Sequence, residues 1–124
     1  MKTILATALL AATLVPSSAL AASRGQLELT TDGEFQRTEV TYNCGAEGPL
    51  KVTYVNADPN FLAVVSLSSE PQPLVFATVL SGSGARYAAG KWIWWTKGSS
   101  ADLYDTTQGD NAPPVTSCTE IPSS

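Results

Sequence analysis

Histidine is absent from this 124-residue chain. Its absence removes the general base of a Ser-His-Asp triad and the commonest metal ligand. Cysteine occurs only at Cys44 and Cys118. A structural zinc site normally takes four Cys or His ligands, so two cysteines make a poor one and suit a single disulfide better. Basic residues are scarce, seven Lys and Arg against eleven Asp and Glu. Nucleic acid and anionic membrane surfaces need a basic face, which this balance withholds. A basic protein, by contrast, would be steered toward the chain. Phosphate-binding motifs are missing too, because Gly82-x-Gly84 lacks a third glycine and a following helix. The Ser-x-x-Lys and Lys-Thr-Gly motifs of penicillin-recognising enzymes are also absent, and Thr96-Lys97-Gly98 has the wrong order. No cofactor or metal is implied.

The chain opens as a secretory signal peptide reads. Met1-Lys2 supplies the positive end, Ile4 to Val15 an apolar core, and Ala19-Leu20-Ala21 a small-residue cleavage site. That core is too short to span a bilayer, which takes about 20 residues. Cleavage after Ala21 divides the chain into residues 1–21 and a domain over 22–124, and no cysteine near the cut offers a site for an acylated anchor. Removing Lys2 leaves six basic residues against eleven acidic ones, a net charge of −5. The expected product is periplasmic or secreted, without a membrane anchor. Monomer and dimer both fit.

About a hundred residues suffice for one small domain, and the pattern is strand after strand. Val40, Tyr42 and Cys44 share one face of Thr38–Cys44, and Leu50, Val52 and Tyr54 repeat the alternation. Gln26 to Thr30 alternates Leu27 and Leu29 with polar neighbours. Phe61–Leu67 and Leu74–Leu80 are nearly continuous apolar runs, which predicts strands covered on both faces. Ala101 to Tyr104 gives a last short strand. Seven or eight strands in one small domain predict an all-β fold, a single antiparallel barrel of about eight strands, because closure removes exposed edges. In an oxidising compartment Cys44 and Cys118 pair. Their bridge staples the tail after Pro113-Pro114 onto the strand of Val40, Tyr42 and Cys44, and a loop of that length contributes about 4–5 kcal/mol on the chain-entropy model.

The stretch from Ser81 to Gly98 is the functional candidate. Gly90-Lys91 is a turn signal between the strand-like runs Ala85–Ala89 and Trp92–Thr96. Ser83 and Lys97 each stand seven positions from Gly90, so a hairpin with its tip there brings them out together at its far end. Ser83 lies between Gly82 and Gly84 in a bent loop, and Lys97 precedes Gly98 and two serines. Trp92 and Trp94 share one face of the second strand, Ile93 and Trp95 the other, and at least one pair belongs to the core. Arg86 and Tyr87 pack near these rings. As a hydrolase dyad, Ser83 and Lys97 would require a buried lysine, whereas a Gly/Ser turn keeps it solvated. Ordinary turn chemistry is the plainer reading of the same residues.

Ser81-Gly82-Ser83-Gly84-Ala85-Arg86-Tyr87, then Trp95-Thr96-Lys97-Gly98 and Ala101-Asp102-Leu103, resemble the paired signatures of the periplasmic and membrane-bound inhibitors of c-type lysozyme, the MliC/PliC family. Tyr42-Asn43-Cys44 and Leu50 to Tyr54 resemble that family's opening strands. The resemblance implies an eight-stranded antiparallel barrel with c-type lysozyme as its partner and no enzymatic activity of its own. Two neighbouring loops would plug the enzyme's cleft, with Ser83 and Lys97 entering it. Gly82, Gly84, Arg86, Tyr87, Thr96 and Gly98 would surround them. The lack of a lipid-attachment cysteine departs from the membrane-bound branch. A second reading is a small secreted barrel that holds an apolar ligand or peptide, which would need an open cavity inside it.

Overall fold

The computed structural model describes residues 10–16, 18, 20 and 23–123. Much of the expected signal peptide, with Ala19 and Ala21 at its cleavage site, lies outside the described residues. No described helix is long and apolar enough to cross a membrane.

Eight strands close into one antiparallel barrel in simple sequence order. They are β1 (Phe35–Asn43), β2 (Pro49–Ala57), β3 (Asn60–Val65), β4 (Leu74–Val79), β5 (Ala85–Ala89), β6 (Trp92–Lys97), β7 (Ser100–Asp105) and β8 (Thr116–Glu120). Up-and-down order puts every second connection at the same end. The turns around 58–59, 80–84 and 98–99 therefore share one rim, and those around 45–48, 66–73, 90–91 and 106–115 share the other.

Alternation along each strand fills the interior. Tyr42, Val52, Val65, Phe76, Tyr87, Trp94 and Leu103 meet there, and Trp94 and Phe76 have no exposed surface. Bulk is balanced by small residues: Ala63 stands across from both Tyr54 and Phe76. The large rings bring polar tips inside, and these satisfy one another. Trp94 Nε1 donates to the Tyr54 hydroxyl at 2.9 Å, and the Tyr42 and Tyr54 hydroxyls bond at 2.7 Å. The Tyr42 ring meets Trp94 edge-on, with centroids 5.2 Å apart. Burial disfavours the phenolate and pushes Tyr42, Tyr54 and Tyr87 above the ordinary tyrosine range, Tyr54 furthest.

The weakest seam is where the ends of the chain meet. Only Tyr42↔Glu120 and Asn43↔Thr119 pair β1 with β8. The Cys44–Cys118 disulfide lies across that seam and closes a 74-residue separation. Ile121 N adds a bond to Thr41 O at 2.8 Å just beyond the ladder.

Two strand expectations are corrected. Gln26–Thr30 forms no strand, and Leu27 is 71% exposed; two leucines among polar residues cannot compete for a barrel edge once Thr116–Glu120 occupies it, covalently tied. The runs Phe61–Leu67 and Leu74–Leu80 do form β3 and β4, but with only one face covered. Val75 is 51% and Val79 42% exposed, because a single closed sheet has no second layer outside it.

Candidate functional site

The β5–β6 hairpin turns on two residues, Gly90 and Lys91, with Ala89↔Trp92 closing it and Ala85↔Thr96 at its far end. Gly90 takes φ 55°, the left-handed conformation that a two-residue hairpin turn of type II′ asks of its first central residue. The pairing is centred between Gly90 and Lys91 and not on Gly90. Lys97 is therefore level with Gly84, one residue from the expected partner Ser83, and Arg86 pairs with Trp95 and Tyr87 with Trp94.

The two candidates nevertheless converge, through Trp95. The indole Nε1 donates to the backbone carbonyl of Ser83 at 2.9 Å, and the Lys97 ammonium lies over the same ring, 4.2 Å from its centroid. The Ser83 carbonyl also accepts from the Ser81 hydroxyl at 2.5 Å, so both of its lone pairs are used and the loop is pinned. Gly84 makes this closeness possible. It sits at φ 61°, and a Cβ there would overlap the Thr96 carbonyl oxygen and come within 2.9 Å of Lys97 Cγ. No other residue type fits.

What the loop and strand present is chemically unoccupied. Ser83 and Lys97 are both exposed. Among the described residues, the Ser83 hydroxyl makes no hydrogen bond and Lys97 enters no ion pair. The other described lysines differ: Lys51 pairs with Glu39 at 3.3 Å and Lys91 with Asp105 at 3.0 Å. A lysine acting as a base needs burial to shed its proton, and Lys97 has none. The arrangement suits docking of a free cation and a free hydroxyl into an anionic, hydrogen-bonding recess.

The remaining candidates divide between surface and support. Gly82 is exposed beside Ser83, and Gly98 (φ 57°) with Ser99 makes the tight turn into β7, where Lys97 pairs with Ser100. Thr96 is half-buried, its hydroxyl donating to Ala85 O at 3.3 Å. Arg86 packs against Trp95 with Cζ 5.5 Å from the ring centroid, and its Nε is buried without a partner. Tyr87 does not join the rim: it points into the barrel against Tyr54, with centroids 5.7 Å apart. The residue missing from the candidate set is Trp95. Its outward parity was readable, but its grip on both neighbours depends on the loop over it.

An apolar-ligand barrel fares less well, since side chains fill the centre. A hollow of about 440 Å³ opens at the opposite mouth, lined by Cys44, Leu50, Leu67, Trp92, Leu103 and Val115 among others.

Comparison with known proteins bears on the family and the fold. Residues 42–112 match the family described as MliC, membrane-bound lysozyme-inhibitor of c-type lysozyme. That span contains both rim motifs. A membrane-bound lysozyme inhibitor of C-type lysozyme from Pseudomonas aeruginosa is 42% identical over 94 residues, 76% of this chain and 73% of that protein. One of the same name from Cupriavidus necator is 40% identical over 76 residues, 61% of this chain and 59% of the relative. Among solved structures, Pseudomonas aeruginosa MliC in complex with hen egg white lysozyme superposes with a TM-score of 0.66 at 40% identity, covering 82% of this chain and 99% of that one. PliC of Salmonella typhimurium, a periplasmic lysozyme inhibitor of C-type lysozyme, gives 0.54 at 26% identity, covering 68% and 98%. With a closed eight-stranded barrel, its one disulfide and both rim motifs in register, this chain belongs to the MliC family.

Proposed function

We propose that this protein inhibits c-type lysozyme by lodging the Ser83 loop and Lys97 in the enzyme's active-site cleft. The observation that carries the reading is an exposed rim on which one indole holds the Ser83 backbone carbonyl and the Lys97 ammonium, leaving the Ser83 hydroxyl without a hydrogen bond and Lys97 without a carboxylate partner among the described residues. Lysozyme cleaves its substrate between two carboxyl groups, one a general acid and one ionised. An ammonium inserted there gains charge-assisted hydrogen bonds to carboxylate oxygens, and a hydroxyl beside it can donate or accept. Peptidoglycan is then excluded by occupancy, with no bond made or broken. The hairpin is stiff, so little ordering entropy is lost on docking.

The acidic balance supports the choice of partner, because six basic against eleven acidic residues after loss of Lys2, a net charge of −5, steer a cationic enzyme toward residues 22–124. Export of residues 22–124 after cleavage at Ala21 would put the inhibitor where lysozyme meets the cell wall, in the periplasm or outside the cell. The test is a bacterial cell-wall clearing assay with c-type, g-type and i-type lysozymes in parallel. Loss of the c-type activity alone is the expected result. Undiminished clearing by the c-type enzyme at micromolar protein would overturn the proposal.

A further inference from the structure

We infer that Trp95 is the positioning residue for both halves of the rim, holding the Ser83 loop with its edge and the Lys97 ammonium with its face; the inference rests on the lysozyme-inhibition reading above. The other two tryptophans of β6 are buried, and their placement follows from the need to fill the barrel. Trp95 points outward, where a half-buried indole has no such reason to be. Its contacts supply one. The ring N–H holds the Ser83 carbonyl at 2.9 Å, and the π face carries the Lys97 ammonium at 4.2 Å. Arg86 at 5.5 Å and the Tyr104 ring at 6.4 Å and 52° brace the indole, and ladder partners on both sides, Arg86 and Asp102, fix its backbone.

An unrestrained lysine samples many rotamers and loses them on entering a cleft. A ring beneath the ammonium removes most of that freedom beforehand, without neutralising the charge as a carboxylate partner would. The Ser83 loop is treated in the same way: its carbonyl is bound while its hydroxyl stays free. Trp95 thus sets the spacing between the Lys97 ammonium and the backbone of the Ser83 loop, because edge and face belong to one rigid ring.

The experiment pairs inhibition with a lysozyme-free readout on the full chain. Trp95→Leu removes both contacts and weakens inhibition of c-type lysozyme by roughly 10- to 100-fold. Trp95→Phe keeps a π face without the N–H and falls between Trp95→Leu and the wild type. In a Lys97→Ala background the Trp95→Leu penalty shrinks several-fold, whereas a merely structural Trp95 would cost the same factor in both backgrounds. Proton NMR of the free protein should show the Lys97 ε-methylene shifted upfield by the indole ring current, and the shift should vanish in Trp95→Leu. Random-coil shifts for Lys97 in the wild type, or equal penalties in the two backgrounds, overturn the assignment. A preserved ring-current shift in a protein that leaves lysozyme fully active sinks the lysozyme reading and upholds the positioning.

Discussion

Substituting Gly84 by alanine tests the rim through its tightest contact. Two costs add. At φ 61° any L-residue stands in the left-handed region, which costs about 1–2 kcal/mol. The new methyl would also overlap the Thr96 carbonyl oxygen, and that oxygen belongs to a strand paired on both sides, so it cannot yield. The loop must move instead, and the Trp95–Ser83 bond lengthens or breaks, for about 1 kcal/mol more. A total near 2–3 kcal/mol in a domain of this size lowers Tm by roughly 10–20 °C. Inhibition measured well below the melting transition should fall by at least tenfold, because the displaced loop carries Ser83. Gly82→Ala is the control: its neighbourhood is open and its φ is not left-handed, so its stability should stay within about 0.5 kcal/mol of the wild type. Thermal unfolding followed by circular dichroism, with lysozyme inhibition constants alongside, gives both numbers. A Gly84→Ala protein with wild-type Tm and wild-type inhibition would refute the close approach.

Lys97→Ala should weaken inhibition by about 2–5 kcal/mol, or roughly 30- to 5,000-fold, with Tm lowered by no more than a few degrees, since the side chain is exposed, forms no ion pair and loses only its contact with the Trp95 ring; wild-type inhibition would remove Lys97 from the mechanism. Ser83→Ala should cost less, about 1–3 kcal/mol, and an unaltered inhibition constant would remove its role. Reducing Cys44–Cys118 opens the seam that has only two β1–β8 residue pairs, and should lower stability by about 2–5 kcal/mol in urea titrations with and without reductant. Tyr42, Tyr54 and Tyr87 all have folded-state pKa values raised above 10.0 by burial. Their contribution is therefore complete below pH 10 and is lost as pH rises beyond it, at up to about 1.4 kcal/mol per unit for each residue. Urea midpoints from pH 9 to 12 should fall steeply, and Tyr54→Phe should flatten the fall; a flat profile would contradict the buried hydroxyl cluster.

The sequence foretold the barrel where the two-residue period was clean, as in Val40/Tyr42 and Leu50/Val52/Tyr54. It misled where apolar content replaced period. Phe61–Leu67 and Leu74–Leu80 read as doubly covered because apolar residues fill both parities, yet a closed single sheet leaves Val75 and Val79 in water. The eighth strand was misassigned for the opposite reason. Thr116–Glu120 has almost no apolar pattern, and what holds it is a covalent bond and a ladder with β7. The rim was legible in outline. Counting outward from Gly90 brought Ser83 and Lys97 to one rim, and the one-residue shift from a two-residue turn altered their register without separating them.

That tolerance has a physical cause. Ser83 and Lys97 do not meet by facing each other across the ladder; each meets Trp95, which reaches one through its N–H edge and the other through its π face. Strand parity fixes Trp95 on the outside whatever the length of the turn, because Trp92 and Trp94 must face inward to fill the barrel. Gly84 then decides how closely the loop can lie on β6, since any Cβ at that position collides with backbone. Core packing thus reaches the rim through alternation: the force that buries two tryptophans turns the third outward, where its face meets the Lys97 ammonium and its edge the Ser83 carbonyl.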